Sequence, residues 1–264
     1  MINRSREITK EELILSFELG GLKKGDTVLM HSALSSIGKV SGGADTVIDA
    51  LLEVIGDEGT LAVMAMSGQH PFDPKNSPST VGIISETVRK REGAFRSLRP
   101  VHSVAAVGRN AEEFVNGHDL AETNCGEGTP FTKLRDMGGK ILMLGVDMNR
   151  NTTLHSIEDI MDSYYLENRT IPAPMYMEGY ENKTMIMKKF PPGHRDFLKF
   201  TSVLRRNGAL TEGIAGNARF LLIDAKKMFE LGEEKVREDP DYFLCTNSEC
   251  AYCQGKKDSR KSQM

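Results

Sequence analysis

The chain has 264 residues, 39% hydrophobic and 27% charged, with a formal net charge of −3 and an isoelectric point near 6.1. That composition suits a globular protein with a packed core, in one large domain or two small ones. It makes no electrostatic case for nucleic acid, no apolar run is long enough to cross a bilayer, and Met1 to Lys10 is polar, unlike a secretory signal, so a cytoplasmic protein is expected.

Asp26 to His31 is a short apolar run that reads as a buried strand. Ala44 to Ile55 carries apolar side chains at Val47, Ile48, Leu51, Leu52 and Ile55, one face of a helix that Gly56 ends. Thr60 to Met66 reads as a second strand and Val81 to Arg91 as a helix. Ser103 to Val107 and Lys140 to Val146 read as further strands, and Thr153 to Tyr165 as a helix. This alternation predicts an α/β layered fold around a central sheet. The second half predicts α+β additions. Met175 to Met177 and Met185 to Met187 flank a turn at Glu181 to Lys183, which reads as a hairpin. His194 to Arg206 reads as a helix ended by Gly208, Asn217 to Asp224 as a strand, and a last helix starts at Ala225. Residues 1–253 are expected to form one domain and 254–264 a disordered tail.

Two segments carry candidate chemistry. The loop from His31 to Gly43 joins a strand to an amphipathic helix through small residues. A helix start offers free N–H groups and a positive dipole end, and glycines let an anion approach them. The loop is a seat for a pyrophosphate, although its glycine spacing fits neither a Walker loop nor a dinucleotide fingerprint. Without a ligand the same residues make a helix cap. In the second segment, His155 lies three residues before Glu158 and four before Asp159, so either acid can share a helix face with the imidazole. A carboxylate beside histidine fixes its tautomer and suits it to accept a proton. The same spacing also serves an ordinary surface pair. His102 and Ser103 precede a strand whose end can face the loop. His70 and His118 sit in polar contexts and are expected to face water.

Of the four cysteines, Cys125 stands alone and Cys245, Cys250 and Cys253 cluster. Three thiols could hold zinc, but a closed site needs four ligands and no histidine is near in sequence, so no metal is expected.

Together these segments resemble a known family. The stretches VLMHSALSSIGKVSGGADTVIDALLEVIGDEGTLAVMAM, FRSLRPVHSVAAVG and GTPFTKLRDMGGKILMLGVDMNRNTTLHSIED, in that order and spacing, resemble aminoglycoside 3-N-acetyltransferases, most of all Bacillus-type members. The resemblance spans roughly residues 10 to 225. It implies the antibiotic N-acetyltransferase fold, distinct from the GCN5 type. It implies acetyl-CoA as donor and the 3-amino group of a 2-deoxystreptamine aminoglycoside as acceptor. It places the cofactor on His31, Ser32, Ser35, Ser36, Ile37, Gly38, Lys39, Val40 and Ser41, with His102, Ser103 and Val104 opposite. It makes His155 the general base and Glu158 its orienter or an amine-binding carboxylate, with Asp147 a polar active-site group. Thr129 stands before Pro130 where the family often has serine. Alternatives from the residues are Cys125 as an acetyl-carrying nucleophile, a coenzyme-A-binding protein without transferase activity, and a zinc module in the tail.

Overall fold

The computed structural model describes residues 6–68, 71–172, 174–179, 181 and 183–262. In chain order the elements are α1 (Lys10–Leu19), β1 (Thr27–Ser32), α2 (Leu34–Ile37), α3 (Gly43–Ile55), β2 (Thr60–Met64), α4 (Ile83–Lys90), β3 (Phe95–Arg96), β4 (Val104–Gly108), α5 (Ala111–Val115), α6 (Pro130–Asp136), β5 (Lys140–Leu144), α7 (Leu154–Ile160), β6 (Glu167–Pro172), β7 (Thr184–Phe190), α8 (Phe200–Arg206), β8 (Leu210–Ala215), β9 (Ala218–Asp224), α9 (Ala225–Glu238) and α10 (Ala251–Lys261).

Seven strands form one sheet in the order β3-β4-β2-β1-β5-β9-β8. The middle three are parallel, with β1 between β2 and β5, and antiparallel strands close both sides. Alternate residues of β1 explain the layering. Val28 and Met30 face one core with α1 and α3, whereas Leu29 faces a second core with α6, α7 and α9. A central strand buried on both faces must be apolar throughout, which is why the sequence shows a continuous run rather than alternation there. Chain order reverses direction across β1: β2 lies to one side and β5 to the other. Their carboxyl ends therefore open a crevice at a topological switch point.

The predicted strands and α3 and α4 form within a few residues of their expected bounds. Other elements differ. The hairpin exists, but its first strand is β6 rather than Met175–Met177; Met175 instead makes a single bridge with Phe72. The helix expected from His194 starts only at Phe200, because residues 191–199 make side-chain contacts that hold them as a turn. Residues 254–261, most of the tail expected to be disordered, belong to the helix α10. It has few apolar residues, but Cys253 is wholly buried, Lys256 pairs with Glu167 at 2.9 Å, and Arg260 pairs with Asp241 at 3.4 Å. No helix among the described residues is long and apolar enough to cross a membrane.

Candidate active site

Two adjoining cavities of about 460 and about 450 Å³ occupy the crevice. The first is lined by His31 and Ser32 at the end of β1, Met64 and Met66 at β2, and Asn149, Arg150 and Thr152 after β5. The second is lined by Ser36, Asp147, Arg150, Asn217 and Arg219. Val146 and Arg150 border both, so they form one groove.

The loop after β1 is fixed from below. Ser36 Oγ donates to the Gly145 carbonyl at 3.0 Å, and the Asn217 N–H donates to the Ile37 carbonyl at 2.8 Å. These contacts need glycine at two points. Gly38 has φ of +104°, and a Cβ there would lie 2.6 Å from Asn217 Nδ2. Gly145 has φ of +69°, and a Cβ there would lie 2.6 Å from Ser36 Cβ. The N-terminus of α3 follows Gly42 and has no side-chain cap; the Gly43 N–H donates to the Val40 carbonyl at 3.1 Å, and the N–H groups after it have no side-chain acceptor and can face an anion.

The predicted donor-site residues divide into two groups. Ser32, Ser35, Ser36, Gly38, Lys39, Val40 and Ser41 are half-buried or exposed along the loop, with Lys39 ion-paired to Glu7 at 2.7 Å. Ile37, Ser103 and Val104 are wholly buried, so they face the groove with backbone rather than side chain. Ile37 and Val104 fill the two cores, and the Ser103 hydroxyl donates to the Ala65 carbonyl at 2.6 Å.

His31 and His102 are buried, and each keeps one nitrogen, Nε2 and Nδ1 respectively, with no hydrogen-bond partner. Burial lowers His31 to about 4 and, helped by the charge of His155, lowers His102 to about 3. Both rings are therefore neutral near pH 7 and can donate or accept toward a bound polar group. His102 also has φ of +63°, a left-handed backbone that costs a non-glycine residue about 1 kcal/mol or more and is commonest at functional sites. These unpaired nitrogens, the open start of α3 and the Arg150 and Arg219 side chains suit a long, phosphate-bearing ligand.

His155 lies beside this groove. Its N–H donates to the carbonyl of Thr152, a lining residue, at 3.0 Å. The imidazole Nδ1 lies 2.6 Å from Glu158 Oε2, so the structure selects Glu158 over Asp159 as its partner. Glu158 is wholly buried, and its second oxygen accepts from Arg195 Nε. Burial alone would raise the Glu158 carboxyl. The His155 hydrogen bond and the charges of His155 and Arg195 outweigh it, and the carboxyl stays below its usual range. Arg195 is itself stacked on Tyr165 at 4.4 Å. The ionised carboxylate accepts the Nδ1 proton, which leaves the Nε2 lone pair as the base. Phe197 packs edge-on against His155 at 5.3 Å, and the ring of His102 is 6.5 Å away.

Glu158 is therefore not an amine-binding carboxylate, because it has no exposed surface and its charge is answered by Arg195. Asp159 faces away, toward the Lys189 ammonium at 3.8 Å, and burial raises its pKa. Asp147 lines the groove, but its carboxylate caps the turn after β5 by accepting from the Asn149 N–H at 3.0 Å. Cys125 is buried, and burial, then the nearby Asp159 charge, hold the thiol protonated, which opposes a nucleophilic role. His118 is not water-facing as expected. It is wholly buried, with Nδ1 3.0 Å from Ser97 Oγ and Nε2 donating to the Asn124 carbonyl at 2.9 Å. His70 lies outside the described residues.

Arg195, Arg150, Arg219 and Asn217 were not singled out in the sequence. Nothing local ties Arg195 to a histidine 40 residues earlier. Nor does the sequence show that His194 packs beside Cys245, Cys250 and Cys253.

A family model for aminoglycoside 3-N-acetyltransferases matches residues 29–237. The chain belongs to this family. As a member it is an acetyl-CoA-dependent N-acetyltransferase with the antibiotic N-acetyltransferase fold. Aminoglycoside N(3)-acetyltransferase VII of Streptomyces paromomycinus is 34% identical over 225 residues, 76% of this chain and 73% of the relative. A Bacillus subtilis prophage-derived aminoglycoside N(3')-acetyltransferase-like protein is 34% identical over 198 residues, 65% and 71% of the two chains. Among solved structures, the binary complex of the acetyltransferase AAC-IIIb with coenzyme A superposes with a TM-score of 0.82 at 26% identity, covering 92% of this chain and 100% of the other. A histidine-to-alanine mutant of AAC(3)-IVa bound to a gentamicin gives 0.87 at 26% identity, covering 97% and 98%.

Proposed function

We propose that the chain transfers the acetyl group of acetyl-CoA directly to the 3-amino group of a 2-deoxystreptamine aminoglycoside, with His155 as general base. The supporting observation is the buried relay from Arg195 through Glu158 to His155 beside a groove suited to coenzyme A. Acetyl-CoA supplies an activated thioester. Ser32, Ser35, Ser36, Gly38, Lys39, Val40, Ser41 and the neutral His31 and His102 rings hold it, with Arg150 and Arg219 answering phosphate charge. Glu158 holds the His155 tautomer, and His155 Nε2 accepts the amine proton as nitrogen attacks the carbonyl carbon. The C–S bond then breaks with its electron pair on sulfur, and the thiolate takes the proton held on His155 Nε2 to leave as coenzyme A thiol. Asp147 stays a candidate polar contact on the groove wall. On this reading the protein works in the cytoplasm, with aminoglycoside resistance as its outcome.

The test is thiol release from acetyl-CoA with a panel of aminoglycosides. His155→Ala should lower kcat by about 10²–10⁴-fold while calorimetry still detects acetyl-CoA binding. Full turnover in that variant would remove His155 as base. Wild type that binds acetyl-CoA yet acetylates no aminoglycoside would remove the acceptor assignment. Cys125→Ala should change kcat less than about twofold, with a stability loss of ~1 kcal/mol; a collapse of turnover in the folded variant would instead favour an acetyl-thiol intermediate.

A further inference from the structure

The four residues His194, Cys245, Cys250 and Cys253 come from two distant parts of the chain. Each offers one ligand atom, and these atoms all lie within 4.8 Å of one another. His194 Nδ1 is 3.9 Å from Cys250 Sγ and 3.8 Å from Cys253 Sγ. A tetrahedral zinc, with Zn–S near 2.3 Å and Zn–N near 2.0 Å, sets ligand–ligand edges of about 3.5–3.8 Å. The two His194–sulfur separations exceed this by a few tenths of an ångström and the widest separation, within 4.8 Å, by about 1 Å, a difference that rotation of side chains can close. We propose that these residues form a structural zinc site of the Cys3His type.

The surroundings suit it. Cys250 is the N-cap of α10 and Cys253 lies in its first turn, where the helix dipole favours thiolates. The Cys245 N–H points at Cys253 Sγ at 3.4 Å. Three thiolates, one neutral imidazole and one divalent ion leave one net negative charge. Two cations lie close by: Lys257 Nζ donates to the Cys245 carbonyl at 2.8 Å, and Lys199 Nζ to the Leu244 carbonyl at 2.9 Å. Cys245 and Cys253 are buried, whereas His194 is exposed and Cys250 half-buried, which gives an ion a path from solvent. Four protein ligands close the coordination sphere, so the ion is structural rather than a Lewis acid for the reaction.

Its position gives it a role. His194 is followed directly by Arg195, the residue that donates to Glu158. Tyr252, between two of the cysteines, packs on Gly193 so closely that a Cβ there would meet its ring at 2.5 Å. The ion therefore pins α10 to the turn that presents Arg195. This consequence rests on the proposed catalytic role of His155; the metal site itself does not.

The experiment is metal analysis of the full chain purified in reductant, with cobalt replacement and thermal melting. About one zinc per chain is expected, with cobalt giving the strong visible absorption of a tetrahedral thiolate site. Chelation should lower Tm, and zinc should restore it. His194→Ala and Cys250→Ser should each reduce zinc occupancy, and in both kcat should fall while KM for acetyl-CoA holds. Wild type that takes up neither zinc nor cobalt with its thiols reduced would overturn the proposal, as would a Cys245–Cys253 disulfide that forms in their place. Zinc bound to a chain that acetylates nothing would leave the site standing and sink the catalytic reading.

Discussion

The loop after β1 and the turn before α8 both serve the same groove, yet they are built in different ways. The first uses backbone. A strand, the loop with Gly38 and a helix start without a side-chain cap lie within one continuous stretch, 27 to 55, held from below by Gly145 and Asn217. The second uses side chains gathered from afar: Glu158, Arg195, Tyr165 and α10. The first region is robust because its conformation is set mostly by backbone, with two backbone-directed contacts from Gly145 and Asn217 beneath it. The second is cooperative, because a buried charge holds only while its partner remains.

That contrast predicts a ranking. The largest effect is expected from Arg195→Ala, which leaves the Glu158 carboxylate buried and unanswered; a stability loss of about 3–5 kcal/mol should follow, read by urea unfolding. Glu158→Gln leaves the buried Arg195 guanidinium unanswered in turn, and should lose a comparable amount of stability while lowering kcat. A large loss in only one of the two variants would break the picture of a charge-matched pair.

Acid should act next. Folding depresses His31 to about 4 and His102 and His118 to about 3, from 6.5. Below 6.5 the unfolded chain binds protons that the folded chain refuses, so stability is full above about pH 6.5 and declines steadily as pH falls toward 4. The lowered Glu158 carboxyl works in the same direction at the acid end, because its stabilisation is lost as pH falls through its folded value. Unfolding free energies at several pH values should show a slope approaching three protons between about pH 4 and 6. A flat profile there would mean that these rings are accessible.

The smallest effect belongs to the local loop. Gly38→Ala forces a side chain into φ of +104° against Asn217. It should cost about 1–2 kcal/mol and raise KM for acetyl-CoA more than it lowers kcat. A loss of kcat alone would mean that the loop and the relay are not separable.

The same contrast explains what the sequence revealed. β1, α3 and β5 were legible because apolar periodicity and a terminating glycine act within a few residues. The His155–Glu158 pair was legible because three-residue spacing on a helix fixes adjacency. Arg195 was not, since its partner lies 37 positions away. His118 looked polar by its neighbours, yet Ser97 and Asn124 satisfy it in the interior. α10 looked unstructured because its anchors are one buried thiol and ion pairs to distant segments rather than an apolar stripe.

The β6–β7 hairpin stands outside the seven-stranded sheet and joins the rest through the Thr123–Lys188 bridge and side-chain contacts such as Glu167–Lys256 and Lys189–Asp159. Phe190 at its end reaches the His102 ring, with centroids 6.5 Å apart. A hairpin attached in this way can be lengthened, shortened or exchanged without moving the register of any core strand.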